Sequence, residues 1–208
     1  MEQLVFHNSS YKIWRSDIES LKELSSFVVV ENVKHHNGQE NAEQINTEID
    51  AIYQEELTYA KNSIIYIVKD NSQKIIGSIR VFKWNRKDEL PIQKIFGINP
   101  LQVVHHENKY SYWHIGRFAI DSFAGIPTMQ LFKQLMVLAI QHIIKDTFSY
   151  MIAETDIKLL RIVNALGIKT TRLGISKVYL NSETIPICSS KKGLTDFYHR
   201  HDHLCGAS

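Results

Sequence analysis

The stretch YSYWHIGRFAID, from Tyr110 to Asp121, decides how this chain folds. Its aromatic and β-branched residues favour a strand, which we predict over Tyr112–Asp121. The residues SFAGI then form a turn, and Pro127 suits the first position of a helix that we predict to about Lys145. A strand that runs into a helix presents backbone N–H groups and the positive end of a helix dipole. This arrangement suits an anion such as pyrophosphate.

Composition and charge limit the kinds of protein that this chain can be. The 208 residues are 44% hydrophobic and 22% charged, with a formal net charge of +2, which is typical of one globular domain and gives no reason to expect nucleic acid as a partner. The two cysteines, Cys188 and Cys205, are too few for a disulfide framework, so we expect a reducing compartment, the cytoplasm. No apolar run is long enough to span a bilayer, and we expect no transmembrane segment.

The N-terminal third alternates between short strands and helices. YKIWR, at Tyr11–Arg15, predicts a strand, and a helix should follow as far as Ser26. The segment Phe27–Val30 either extends that helix or forms a short strand. The polar residues of Lys34–Gln44 predict a loop, and the apolar spacing of Ile45–Ala60 predicts an amphipathic helix.

A hairpin is the clearest prediction for the middle of the chain. Two β-rich runs, Ile64–Val68 and Lys74–Phe82, flank the polar turn at 70–73. The chain from Lys83 to Asn108 contains two Pro residues, and we expect irregular structure there with one short helix near Ile92–Phe96.

The C-terminal part predicts a second strand–helix unit and a closing hairpin. We expect a strand at Phe148–Glu154, a helix at Asp156–Leu166, and a hairpin that joins Thr171–Leu180 to Thr184–Cys188. This order predicts one α+β domain over residues 1–195, with a mixed central sheet flanked by helices. The polar residues 196–208 are expected to form a flexible tail.

The order of elements resembles the GNAT acyltransferase fold. Within it, the chain resembles the acyl-homoserine-lactone (autoinducer) synthases and the long-chain N-acyl amino acid synthases over roughly Ile64–Ser189. IIYIVKDNSQKIIGSIRVF resembles a hairpin of that family that ends in Gly-x-x-Arg, here Gly77 and Arg80. YWHIGRFAID resembles its Trp-Glu-x-Ser-Arg-Phe strand, with His114 in place of the glutamate and Gly116 in place of the serine. LPIQKIFGINPL and LLRIVNALGIKTTRLG resemble its proline-containing segment and its late helix.

This resemblance implies an N-acyltransferase that moves an acyl group from a thioester to an amine. The co-substrate would be acyl-CoA or the acyl-phosphopantetheine of an acyl carrier protein. The acceptor would be a small-molecule amine, an amino acid or a related metabolite. Two alternatives stay open: a catalytically silent module that binds an acyl ligand or a protein, and an acetyltransferase.

His114 is the candidate general base. Histidine titrates near neutral pH, so it can take a proton from an attacking amine at the position where the family has a carboxylate. The alternative is a core histidine that is hydrogen-bonded to a backbone carbonyl.

Arg80 and Arg117 are candidate site residues because they lie in otherwise apolar strands, where an unpaired charge is costly. They can hold the carboxylate of an acceptor or the phosphate of a carrier. Alternatively, they pair with Glu154 or Asp50 and tie the sheet together.

A β-bulge would bring His114 and Arg117, three residues apart, to one cleft. Gly116 permits such a bulge, or it only relieves crowding. The predicted cofactor-binding residues lie after it. They are the backbone of Phe118, Ala119 and Ile120, together with Gly125 and Thr128.

Metal catalysis and Ser-His-Asp hydrolysis are both disfavoured. The pairs His35-His36 and His105-His106 and the segment HRHDH lack the convergent spacing of a zinc site. No Gly-x-Ser-x-Gly motif is present. We therefore expect no metal.

Overall fold

A computed structural model describes residues 2–35, 41–105, 107–179 and 182–206. The strands are β1 (Gln3–His7), β2 (Tyr11–Arg15), β3 (Ser63–Asp70), β4 (Ile75–Lys83), β5 (Ser111–Ile120), β6 (Ser149–Asp156), β7 (Thr171–Arg172), β8 (Lys177–Tyr179) and β9 (Ser182–Ser190). The α-helices are α1 (Leu21–His35), α2 (Ala42–Tyr59), α3 (Pro91–Phe96), α4 (Pro100–Val103), α5 (Thr128–Ile143), α6 (Ile157–Ala165) and α7 (Lys191–His201).

One mixed sheet organises the described part of the chain. Its strand order is β1-β2-β3-β4-β5-β6-β9-β7, and β8 also pairs with β9. The pairing is antiparallel except between β5 and β6, which run parallel and are joined by the crossover helix α5. The predicted α+β class with a mixed sheet flanked by helices is confirmed.

Helices cover both faces of the sheet because alternate strand residues point to opposite sides. In β3, Ile65 and Ile67 pack with Leu21 and Leu24 of α1. Their neighbours Tyr66 and Val68 belong to a larger apolar cluster that includes most of α5. The apolar stripe of α5 is therefore mainly core, and α1 and α2 lie on the face opposite to it.

The N-terminal part of the structure contains a longer helix than the sequence predicts and one additional strand. Phe27–Val30 continues helix α1 and does not form a strand, and α1 runs to His35, inside the segment that the sequence predicts as a loop. Residues 36–40 of that segment lie outside the described residues. Helix α2 then begins with a capping box in which Asn41 and Gln44 bond each other's backbone N–H groups. Strand β1 was not predicted.

The C-terminal end differs from the predicted flexible tail. Residues 191–201 form α7, followed by a 3₁₀ turn at Asp202–Cys205. Leu194 and Phe197 are fully buried against the cluster around α5. Gln134 of α5 also donates a hydrogen bond to the carbonyl of Leu204, at 2.8 Å. These contacts hold the segment on the domain.

Candidate active site

The sheet opens between its two parallel strands. Pairing joins only Ser111–His114 of β5 to Ser149–Ile152 of β6. Further along, β5 stays paired with β4 and β6 stays paired with β9. The strands therefore diverge and leave a V-shaped opening. The divergence begins after Ile152.

A β-bulge lies on β5 beside this opening. Arg117 and Phe118 face a single residue of β4, Ile79. Arg117 has a φ of 52°, a left-handed conformation that is uncommon outside glycine. The sequence predicts a bulge between His114 and Arg117, but the pairing is regular through Gly116 and the bulge lies at Arg117 and Phe118. A Cβ on Gly116 would lie 2.9 Å from Cε1 of His114, so the glycine relieves crowding around that ring.

A cavity of about 440 Å³ is lined by both diverging strands and by α1, α5 and α6, a volume within the usual range for small-molecule sites. Its apolar lining includes Phe132, Met136, Met151, Ala153, Leu159 and Val163. Its polar lining includes Glu31, Glu55, Arg80, His114, Arg117 and Glu154. The cavity thus joins an apolar compartment to a set of charged side chains.

The charged side chains form one chain of hydrogen bonds that starts at Glu154. His114 Nε2 lies 2.8 Å from Glu154 Oε2, and Arg80 Nη2 lies 3.2 Å from His114 Nδ1. Arg80 also donates through Nη1 to Glu56 Oε1. Arg117 completes the chain and reaches Glu56 Oε1 with Nε at 2.6 Å and Glu55 Oε1 with Nη2 at 2.8 Å.

Burial strengthens the electrostatic interactions between the charged side chains of this network. Arg80 is 1% exposed, and the side chain of Glu56 is fully buried. Burial by itself acts to raise the pKa of Glu56, but the positive charges of Arg80 and Arg117 outweigh it and hold the pKa below its usual value. The arginines pair with Glu56 and Glu55 of α2, and not with the predicted Glu154 or Asp50 among the described residues.

The neighbours of His114 determine the tautomer of its ring. A guanidinium only donates hydrogen bonds, so His114 Nδ1 must accept from Arg80. The proton of the neutral ring is then on Nε2, which donates to Glu154. The side chain is 1% exposed and stacks on Phe82. Both ring nitrogens are thus engaged, and neither offers a lone pair to an amine.

Glu154 lies at the centre of the site, although the sequence predicts it only as a possible partner of the arginines. Its side chain is 10% exposed, and Oε1 is buried without a hydrogen-bond partner in the described part of the chain. It lies on β6 just past the last residue paired with β5, Ile152, and it lines the cavity. A charged residue next to an apolar run marks a candidate site residue. Glu154 meets this criterion because it follows the apolar residues of FSYMIA, just as Arg80 lies among apolar neighbours.

The predicted cofactor-binding residues lie mostly along this cavity. Phe118, Ala119, Ile120 and Thr128 all line it. Gly125 lies in the turn before α5 with a φ of 69° and is not among the lining residues of the described structure. From Ile115 to Ile120, the edge of β5 that faces β6 has no strand partner.

Two further features concern metals and membranes. Within the described ranges, no group of three or more His, Cys, Asp or Glu side chains is arranged to hold a metal ion. His36 and His106, each the second residue of an adjacent histidine pair, lie outside those ranges. No described helix is both long enough and apolar enough to cross a bilayer.

Comparisons with known proteins identify the fold. No protein-family model and no curated protein matches the chain. FeeM, an N-acyl amino acid synthase from uncultured soil microbes, superposes with a TM-score of 0.58 at 14% identity, over 91% of both chains. The AHL synthase LasI gives a TM-score of 0.58 at 12% identity, over 92% of this chain and 91% of LasI. A GNAT-family acetyltransferase from Staphylococcus aureus Mu50 gives 0.55 at 12% identity, over 87% of this chain and 99% of that enzyme. The fold is GNAT-like, and the predicted resemblance is confirmed.

Proposed function

We propose that this protein is an N-acyltransferase that moves an acyl group from a thioester to an amine. The observation that carries the proposal is the opening between β5 and β6, where a buried carboxylate–histidine pair adjoins an apolar cavity. FeeM and LasI, which share the fold, are an N-acyl amino acid synthase and an AHL synthase. This likeness supports acyl transfer.

The donor is acyl-CoA or the acyl-phosphopantetheine of a carrier protein. Its arm follows the unpaired edge of β5, where the backbone of Phe118, Ala119 and Ile120 provides hydrogen bonds. Its phosphate lies near the turn of Gly125 and near Thr128, at the N-terminal end of α5, where a helix dipole favours negative charge. The acyl chain occupies the apolar compartment between α5 and α6.

The chemistry follows from the buried pair. The amine nitrogen attacks the thioester carbonyl carbon, a C–N bond forms, the C–S bond breaks, and the thiolate leaves. The proton that the amine loses goes to Glu154 Oε1, the unpartnered oxygen. His114 acts as a positioning residue because its Nε2–H fixes the other oxygen of Glu154, and Arg80 in turn fixes His114. Arg117 holds the bulged strand against α2 through Glu55 and Glu56.

Thiol release tests the proposal. The purified protein is mixed with acetyl-, octanoyl- and tetradecanoyl-CoA, or with the same acyl groups on a carrier protein, and with a panel of amines and amino acids. We expect amine-dependent thiol release and an N-acyl product that mass spectrometry detects. Release no faster than in the amine-free control would contradict the proposal. Binding of a thioester without release would indicate a silent module, and exclusive use of acetyl-CoA would indicate an acetyltransferase.

A further inference from the structure

We propose that the acceptor is a small diamine or polyamine, and that Glu31 binds its second, non-reacting ammonium group. This inference rests on the acyl transfer proposed above and names the substrate class of the same cavity. It depends on a buried carboxylate that the proposed chemistry does not use. It also depends on the charges that surround the reacting pair.

Glu31 is an unusual residue for helix α1. It is 3% exposed and lines the same cavity as His114 and Glu154. Its Oε1 accepts a hydrogen bond from Lys34 Nζ at 2.6 Å, and the Lys34 side chain is 44% exposed. Its Oε2 is buried and has no hydrogen-bond partner among the described residues.

A buried carboxylate oxygen without a partner is costly, because it has lost its water and gained no donor. An ammonium group of a ligand would restore that hydrogen bond and would add a charge pair in a region of low dielectric constant. Among the described residues, two buried oxygens without partners line this cavity, Glu31 Oε2 and Glu154 Oε1, and they suit a ligand with two amino groups.

The charges of the network favour a cationic acceptor over an amino acid. Three carboxylates, those of Glu154, Glu56 and Glu55, accompany two guanidiniums and a neutral imidazole, which leaves a net charge of −1. Arg117 uses Nε and Nη2 on these carboxylates, and Arg80 uses Nη1 and Nη2 within the network. Both arginines are thus already engaged by groups of the protein, although Arg80 Nε has no hydrogen-bond partner among the described residues.

Calorimetry without a thioester tests the inference separately from acyl transfer. The probes are 1,4-diaminobutane, butylamine and 4-aminobutanoate, and the matching six-carbon set of 1,6-diaminohexane, hexylamine and 6-aminohexanoate. At neutral pH we expect at least one diamine to bind about tenfold or more tightly than its matched monoamine and its matched amino acid. Equal binding within both sets, or tighter binding of the amino acids, would overturn the inference.

A pair of variants locates the effect. Glu31→Gln removes the charge at nearly constant volume and should abolish the advantage of the diamine over the monoamine. Glu23→Gln, an exposed position on the same helix, should leave that advantage intact. If Glu31→Gln and Glu23→Gln retain it equally, Glu31 is not the binding group. If Glu31→Gln does not fold, the wild-type comparison still decides.

The two proposals fail in different ways. Diamine binding without thiol release from any thioester would support the cationic site and contradict the acyltransferase. Acyl transfer to monoamines or amino acids, with no diamine preference in rate or binding, would support the acyltransferase and overturn this inference.

Discussion

At the residue scale, the position of His114 between a guanidinium and a carboxylate determines what each partner can do. Arg80 occupies the lone pair of Nδ1, and the proton on Nε2 is directed at Glu154. The ring can shift its hydrogen bonds but cannot accept another proton without displacing Arg80. Oε1 of Glu154 is buried without a hydrogen-bond partner among the described residues, so it is the oxygen of this pair that is best placed to accept a proton.

Two variants at these positions should rank in an order that identifies the base. Glu154→Gln removes the proton acceptor and should lower kcat about 10²–10⁴-fold, the usual span for general acid–base catalysis. His114→Gln keeps a donor for Glu154 and an acceptor for Arg80, and should stay within about tenfold of wild type. Initial rates of thiol release and melting temperatures measure both effects. The reverse order, with His114→Gln the more damaging, would return the base to His114.

Arg117 should contribute strongly to the stability of the fold through its ion pair with Glu56. Glu56 is fully buried, and Arg117 and Arg80 are its charged partners in the described structure. Removal of one partner from a buried ion pair leaves a charge uncompensated, and Arg117→Ala should lower the free energy of unfolding by about 3–5 kcal/mol. Urea denaturation measures this change, with the exposed Arg161→Ala on α6 as control. An unchanged unfolding free energy combined with lost thioester binding would assign Arg117 to the ligand.

At the element scale, α7 shows how packing can order a polar segment. Its eleven residues, KKGLTDFYHRH, include few apolar side chains. Leu194 and Phe197, three positions apart, place those few on one face against α5. Gly193 allows this close approach, since a Cβ there would lie 2.6 Å from Ser189 Oγ. Such tertiary contact overrides a weak local signal.

Phe197 should therefore be essential for the stability of the domain. It is fully buried, and Phe197→Ala should lower the free energy of unfolding by about 3–5 kcal/mol through lost burial and the cavity that remains. His199→Ala on the same helix is the matched control, because the His199 side chain is 67% exposed and should change stability little. Urea denaturation of both variants measures the difference. A Phe197 variant as stable as wild type would mean that α7 behaves as the flexible tail predicted from the sequence.

The sequence predicted those elements whose signal is local. The hairpin of β3 and β4 was found because two β-rich runs flank a polar turn, and β5 and α5 were found by strand propensity and a proline at the helix start. Strand β1, QLVFH, was missed because it is short and partly exposed at the edge of the sheet. None of its residues is fully buried, so it lacks the alternation of apolar and polar positions that indicates a strand.

At the scale of the whole molecule, the sequence predicts the site residues on the strands but not those on helix α2. Arg80, His114 and Arg117 stand out because polar side chains are rare in apolar strands. Glu55 and Glu56 do not, because glutamate on an amphipathic helix ordinarily faces water. Their partners lie 24 to 62 residues away along the chain, and only the folded sheet brings them together.

Stability of the whole domain should also depend on pH through a residue far from the proposed chemistry. His142 of α5 lies under the sheet, where its Nε2 is 2.8 Å from Tyr66 Oη and the two groups share a hydrogen bond. Burial, reinforced by the positive charges of Lys145 and Arg15, lowers the pKa of His142 from 6.5 to about 4. The folded protein therefore keeps this ring neutral over a range in which the unfolded chain protonates it.

The sign of the effect follows from proton linkage. Between pH 6.5 and about 4, the unfolded chain binds more protons at His142 than the folded one does, so the free energy of unfolding should fall as the pH falls. His142→Gln cannot titrate and should show a smaller loss over that window. His199→Gln, the same substitution at a largely exposed position, is the control. Urea midpoints at pH 7.0, 5.5 and 4.5 give the pH dependence of stability for each protein. The carboxylates are common to all three proteins, so their contribution cancels when the slopes are compared. Equal slopes for wild type and His142→Gln would show that this ring titrates alike in both states.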